Sequence, residues 1–181
     1  MLKIEPDITK ARQVLAHARL AARLVSPAKW NTQLRLTFHA LPFNRRRRAY
    51  TPDLRVECYL CGREEDSDRH VYGDCEVVER ARQIVSQRAA LTLPQGLAGA
   101  LLTYPPPSNP GSTVLNIVFN WAVWNLRSCF FASLLETQGV ESAARRIAGA
   151  TLLEFNPDGK GIPLKEKALR ELATNPPENT V

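Results

Sequence analysis

Four side chains able to bind a soft divalent cation fall within one short stretch: Cys58, Cys61, His70 and Cys75, spaced C-x2-C-x8-H-x4-C. Zinc takes four ligands tetrahedrally. Three thiolates with one imidazole fill every position and leave none for a reactive water. The spacing therefore predicts one structural Zn2+ rather than a catalytic one. The C-x2-C pair suits a tight turn with amides directed at the sulfurs, and Gly62 just after it can take a positive φ. Ser67, three residues before His70, is placed to cap a short helix that carries the histidine. Cys75 then follows just over one turn later. The fourth cysteine, Cys129, lies on an apolar stretch far from the cluster and reads as a buried free thiol. This grouping is not a disulfide framework. It predicts a reducing, intracellular setting, cytoplasmic or nuclear. The N-terminus has no apolar run with a basic flank, so no signal peptide is expected.

The second chemical feature is charge. Residues 1–48 hold eleven Lys/Arg against two Asp/Glu, a balance of +9. Residues 49–90 hold six against nine, and residues 91–181 hold seven of each. The formal net charge of +6 is thus an N-terminal property. A concentrated cationic segment suits a polyanion, because each neutralised phosphate releases counterions. The residues expected to meet RNA or DNA are Arg45, Arg46, Arg47 and Arg48, a run of four just before the cysteines, together with Arg35, Arg12, Arg19 and Arg23. The knuckle itself is acidic (Glu64, Glu65, Asp66, Asp68), so the arginines rather than the loop are the candidate phosphate contacts.

These residues need a scaffold, and the periodicity supplies a mainly α-helical one of six or seven helices. Residues 7–25 read as a helix capped by Asp7 or Thr9, with Ala11, Val14, Leu15, Ala18, Ala22 and Val25 as its apolar stripe; Ser26-Pro27 ends it. Residues 29–40 read as a second helix burying Trp30, Leu34, Phe38 and Leu41, stopped by Pro42. A helix from Glu76 to Ala90 should bury Val77, Ala81, Ile84 and Val85 and turn Glu79, Arg80, Arg82 and Arg88 outward. Tyr104–Ser112, with its prolines, reads as an extended linker. Thr113–Glu136 is long and apolar, but Asn116, Asn120 and Arg127 share one narrow face, and an arginine near the middle would be costly in lipid. A helix wrapped by protein is expected, with no membrane contact. Gly139 can terminate it. Residues 140–153 suggest a further helix, Asn156–Gly159 a turn and residues 163–173 a last helix. The division expected is a basic helical segment (1–50), the knuckle and its following helix (51–92), a Pro-rich linker (93–112), a C-terminal helical segment (113–173) and a disordered tail (174–181).

At Cys58-Tyr59-Leu60-Cys61-Gly62, Glu64-Glu65, Asp66-Ser67, His70 and Cys75 the chain resembles the zinc-binding region near the C-terminus of non-LTR retrotransposon reverse transcriptases. Trp30 to Leu41-Pro42 with the arginine run is similar to the basic helix that often precedes that region. Trp121-Ala122-Val123-Trp124-Asn125-Leu126-Arg127 is similar to the Trp-x-x-Trp element that often follows it. The likeness covers roughly residues 28–130 and departs in carrying Ile84 where an aromatic residue is frequent. It implies a part of an element-encoded polymerase that engages template RNA or target DNA, with the polymerase part as a possible partner. Met1 opening onto a helix would suit a separate reading frame or a degenerate copy.

No Tyr/Phe-x-Asp-Asp motif and no carboxylate cluster for two metal ions is present in the sequence. His17 and His39 have no evident nucleophile or carboxylate beside them. An enzyme is therefore not expected. The leading expectation is a structural-zinc nucleic-acid-binding module. The alternatives are a zinc-stapled protein-interaction module, which the acidic knuckle favours, and a non-functional retroelement remnant.

Overall fold

The computed structural model describes residues 15–16, 18–19, 21–101, 110–128 and 132–155. The protein is mainly helical, with no strand among the described residues; one isolated antiparallel bridge joins Glu57 and Glu65. Residues 21–24 end a first helical stretch, and Val25 N–H closes it on the Ala21 carbonyl at 3.1 Å. Ala21 and Val25 are buried, whereas Leu15, expected on the inner stripe, is 56% exposed. The start of that helix, including Asp7 and Thr9, lies outside the described residues.

Helix α1 spans Pro27–Thr37, with Pro27 in the first turn where its missing N–H costs nothing. Its buried face matches the expected one only in part: Leu41, just past it, is buried and Trp30 packs half-buried on the core. Leu34 is 37% and Phe38 75% exposed, while Thr32, Gln33 and Leu36 are buried. The cause is a polar requirement elsewhere. The short helix α4, Gly96–Ala100, leaves its last carbonyls without intrahelical partners. Gln33 Nε2 donates to the Ala100 carbonyl at 2.9 Å, and Asn120 Nδ2 donates to Gln33 Oε1 and to the same carbonyl. Asn116 Nδ2 donates to the Gly99 carbonyl at 3.0 Å. Helix α1 rotates its amide inward to complete this set, and that rotation moves Leu34 and Phe38 out.

Helix α2 is a single turn, Asn44–Arg47. A π-helical turn runs from His70 to Asp74, closed by Cys75 N–H on the His70 carbonyl at 2.8 Å. Helix α3, Glu76–Ala89, follows directly, with Glu76 and Glu79 in the first turn where they oppose the helix dipole. Val77, Ala81, Ile84 and Val85 are buried as expected. Arg82, expected outside, is only 3% exposed. It donates to Glu79 Oε2 at 2.7 Å and to the Tyr72 carbonyl, and its guanidinium lies 5.6 Å from the Phe119 ring centroid. Burial lowers the Arg82 pKa, and the Glu79 carboxylate opposes that shift.

Helix α5 spans Pro110–Ser128 and α6 spans Ala132–Phe155. Every residue from Gly111 to Asn120 is buried, so α5 is the central rod, with α1 and α6 packed on it and α3 packed on α6. The polar strip of Asn116, Asn120 and Arg127 is buried too, because each has a partner in another element. Among the described residues no helix is long and apolar enough to cross a membrane. Gly139 breaks α6 with φ 72° and ψ 170°, a conformation open to glycine.

The span 93–112 is not a linker throughout. Leu93, Gly99 and Ala100 are buried, α4 lies within it, and Pro110-Gly111-Ser112 form the first turn of α5. Nor do the knuckle and the C-terminal helices stand apart: Tyr72 Oη donates to the Asn120 carbonyl at 3.0 Å. The proline run 105–107, Cys129, the turn at 156–159, the helix at 163–173 and the tail lie outside the described residues.

Candidate metal centre

The chain enters the site as a tight hairpin. Cys58 N–H donates to the Glu64 carbonyl, Asp66 N–H to the Val56 carbonyl, and Gly62 N–H back to the Cys58 carbonyl at 2.8 Å. Gly62 takes φ 70°, which lets the chain reverse directly after Cys61. Leu60 N–H points at Cys58 Sγ at 3.4 Å, the amide-to-sulfur contact the C-x2-C spacing implies. Ser67 Oγ accepts from His70 N–H at 3.1 Å and so caps the turn that carries the histidine. The π-helical turn then carries the chain from His70 to Cys75. The extra residue of a π turn is what lets both ligands face one point.

The result is a cluster of Cys58, Cys61, His70 and Cys75 whose ligand atoms all lie within 4.8 Å of one another. Cys61 Sγ and His70 Nε2 are 3.1 Å apart. Cys58, His70 and Cys75 are buried and Cys61 is partly so. Such a group could hold a metal ion. On the far side of the imidazole, Glu64 Oε2 lies 3.1 Å from Nδ1, off the hydrogen-bonding direction, so the contact is ionic.

Crowding three thiols and an imidazole leaves their protons contested. Hydrogen bonds from Cys58 and Cys75 pull the Cys61 thiol well down, so it carries the charge. Sharing with Cys61 and Cys75, with burial added, pushes Cys58 well up. Cys58 pulls Cys75 down, but Cys61 and burial outweigh it and raise Cys75 to about 12. Hydrogen bonds to Cys58 and Cys61 raise His70 to about 10 against the effect of burial. A cation entering this cluster displaces those protons.

The knuckle is tied to the helices by a residue whose role the sequence did not reveal. Asp66 is fully buried. Its Oδ2 accepts from the Asn44 N–H at 2.7 Å, and its two oxygens take a bidentate pair from Arg127, with Nε to Oδ1 at 2.7 Å. Arg127 is 4% exposed and has its guanidinium 4.7, 5.0 and 5.3 Å from the ring centroids of Trp124, Phe43 and Tyr59. The polar strip on α5 was a signal for one end of this pair. Beyond its place in the Asp66-Ser67 pair, nothing local marked Asp66 as the buried one among its acidic neighbours.

The arginines expected to meet a polyanion divide into groups. Arg45, Arg46, Arg47 and Arg48 are all exposed, on α2 and the turn after it. The acidic knuckle engages two of them: Arg45 pairs with Glu65 at 3.3 Å and Arg46 with Asp68 at 3.6 Å. Arg47 and Arg48 have no ion-pair partner among the described residues. Arg35, Arg19 and Arg23 are exposed, with Arg35 in the last turn of α1; Arg12 lies outside the described residues.

His39 corrects a further expectation. It adopts φ 51° and its Nδ1 contacts Asp68 Oδ2, so it does have a carboxylate partner. Burial works against the Asp68 carboxylate. The His39 hydrogen bond, the Arg69 amide and the neighbouring charges outweigh it and hold the Asp68 pKa below its usual value. Comparisons with protein-family models, with curated proteins and with solved structures found no match.

Proposed function

We propose that this chain is a zinc-stapled helical module that binds nucleic acid, with a site similar to the zinc-binding region of non-LTR retrotransposon reverse transcriptases. The convergence of three sulfurs and one ring nitrogen carries the reading. Zinc–sulfur bonds of about 2.3 Å in a tetrahedron put neighbouring sulfurs roughly 3.8 Å apart, so ligand atoms within 4.8 Å need only small movements to close on the ion. The donor set fits zinc by chemistry as well, since thiolates exclude the harder magnesium and calcium. Glu64 lies beside His70 Nδ1, and a small turn of its carboxylate would give the hydrogen bond that commonly orients a zinc-bound imidazole. The ion has four protein ligands and holds a fold; it supplies no open position for catalysis.

Nucleic acid is the partner the charge distribution favours. Arg47 and Arg48 are exposed and have no carboxylate partner among the described residues, beside a knuckle that uses its acids on Arg45 and Arg46. The test is metal analysis of the purified protein with salt-titrated binding to RNA and DNA. About one zinc per chain is expected, and affinity should fall steeply with salt. Changing Arg47 and Arg48 to Ala should flatten the salt slope by about 0.7–0.9 per lost phosphate contact. The Arg45 and Arg46 pair should matter less. Binding indifferent to salt and to all four arginines would defeat the reading.

One observation favours a second reading, a protein-interaction module. Leu34 and Phe38 stand exposed on one side of α1. Recovery of a protein partner whose binding depends on Phe38, with no affinity for RNA or DNA, would select it.

A further inference from the structure

A cleft of about 150 Å3 opens where the knuckle, the turn before α2 and the end of α5 meet. It is lined by Pro42, Arg47, Tyr59, Trp124, Arg127 and Ser128. Two of these are half-buried aromatic rings and one is an exposed arginine with no carboxylate partner among the described residues. The lining is held from behind. Arg127 is fixed by Asp66 and sits against the Tyr59 and Trp124 rings, and Trp124 packs edge-on to Phe43 at 5.4 Å between centroids. The rings therefore belong to a set frame, and Arg47 at the margin brings the uncompensated charge.

We infer that this cleft takes one unpaired nucleotide of a single strand, with the base against Tyr59 and Trp124 and a flanking phosphate on Arg47. This deepens the nucleic-acid reading and rests on it. The chemistry is complementary at each point. A base is flat and presents a π-face, which aromatic side chains bind regardless of sequence. Its backbone is anionic, and Arg47 continues into Arg48 on the same exposed turn. A duplex keeps its bases stacked and cannot offer one to a cleft of this size without unstacking it. The knuckle thus gains a role beyond holding the helices together: Tyr59, which with Leu60 lies between Cys58 and Cys61, is set at the cleft by the metal turn itself.

The experiment compares affinity of the zinc-loaded full chain for a single-stranded oligonucleotide and for its duplex at matched salt. It uses wild type, Tyr59→Leu, Tyr59→Phe and Arg47→Ala, each checked for zinc content and helicity. Tyr59→Leu keeps bulk but removes the π-face, and should weaken single-strand binding roughly tenfold or more, with duplex binding and salt slope unchanged. Tyr59→Phe should bind like wild type. Arg47→Ala should weaken both substrates and reduce the salt slope by about 0.7–0.9. A photo-crosslinking base in the single strand should attach at Tyr59 or Trp124. Salt-dependent binding that ignores Tyr59→Leu, or equal losses on single strand and duplex, would overturn the cleft while leaving the polyanion reading intact. No binding to either substrate would overturn both.

Discussion

From Thr51 to Arg69 the chain buries four residues, Cys58, Leu60, Asp66 and Ser67; from Gly111 to Asn120 it buries all ten. The two regions lie in contact yet hold their shape by different means. Helix α5 is surrounded by aliphatic and aromatic side chains, and burial of apolar surface stabilises it continuously along its length. Within 51–69 one apolar side chain, Leu60, is fully inside besides Cys58. The other buried groups of that stretch are polar: one thiol, a hydroxyl committed to a backbone amide, and a carboxylate. A segment so poor in apolar burial cannot offset the entropy of ordering its backbone. It must draw on a few directed bonds to the body and, in the function proposed above, on the metal that the Cys/His cluster could hold.

The largest effect should follow from removing the metal. Chelation, or Cys58→Ser, should strip hydrogen-exchange protection from the amides of residues 54–75 while leaving those of α5 protected. Structural zinc contributes an apparent ~10–16 kcal/mol in small zinc-dependent peptides, far more than this segment can replace by packing. Simultaneous loss of protection in α5 would break the comparison, because it would make the knuckle and the helical body one cooperative unit.

Next in size is the bond between the two regions. Asp66→Ala leaves the Arg127 guanidinium buried without its counter-charge, which costs about 3–5 kcal/mol in comparable buried pairs. It also frees the first amide of α2. Urea denaturation should show this loss in full, and the double change Asp66→Ala with Arg127→Met should recover most of it. No recovery would mean that Asp66 acts chiefly through α2 and Asn44 rather than through α5.

This pair also shows what a sequence can and cannot disclose. The Cys/His cluster was legible because it is local: its spacing, Gly62 and the Ser67 cap all act within a few residues of each other. Helix existence was legible too, along with the break at Gly139 and the buried row Val77, Ala81, Ile84 and Val85. Partnerships across the chain were not. Asp66 and Arg127 lie 61 positions apart, and one acidic residue among four in the loop gives no sign of being the buried one. Leu34 and Phe38 were misassigned because with Trp30, which does pack on the core, they form the more apolar side. The inward side is fixed instead by Gln33 reaching the open carbonyl of Ala100. Arg82 was assigned to solvent for the same reason: the Tyr72 carbonyl and the Phe119 ring that receive it come from other elements.

A smaller effect separates the regions within the knuckle. Ser67→Ala removes the acceptor for His70 N–H and should cost about 1 kcal/mol, as the loss of a helix cap does. That cost should appear as weaker metal binding in a competition with a chelating dye, since the cap positions a ligand. Melting of the metal-free protein should be unchanged. A melting loss equal with and without metal would place the cap in the body's stability instead.

The smallest effect belongs to the body's surface. Glu141 accepts from Arg80 at 2.7 Å and from Arg145 at 2.9 Å, and these hydrogen bonds, Arg80's first, hold its carboxyl at about 2 against an ordinary 4.5. A folded-state pKa below the unfolded one stabilises the fold above the unfolded value. That contribution is lost as pH falls through the folded value. The difference in melting between wild type and Glu141→Gln should therefore be present at neutral pH, shrink below about pH 4.5 and be gone near pH 2. All three side chains are largely solvated, so the difference is small and concentrated salt should erase it. Measured on metal-free protein, it isolates the seam between α3 and α6 from the ligands, whose own protonation in that range releases the cation. A difference that survives both acid and salt would mean that Glu141 acts by packing, and that the body, like the knuckle, leans on a particular polar contact.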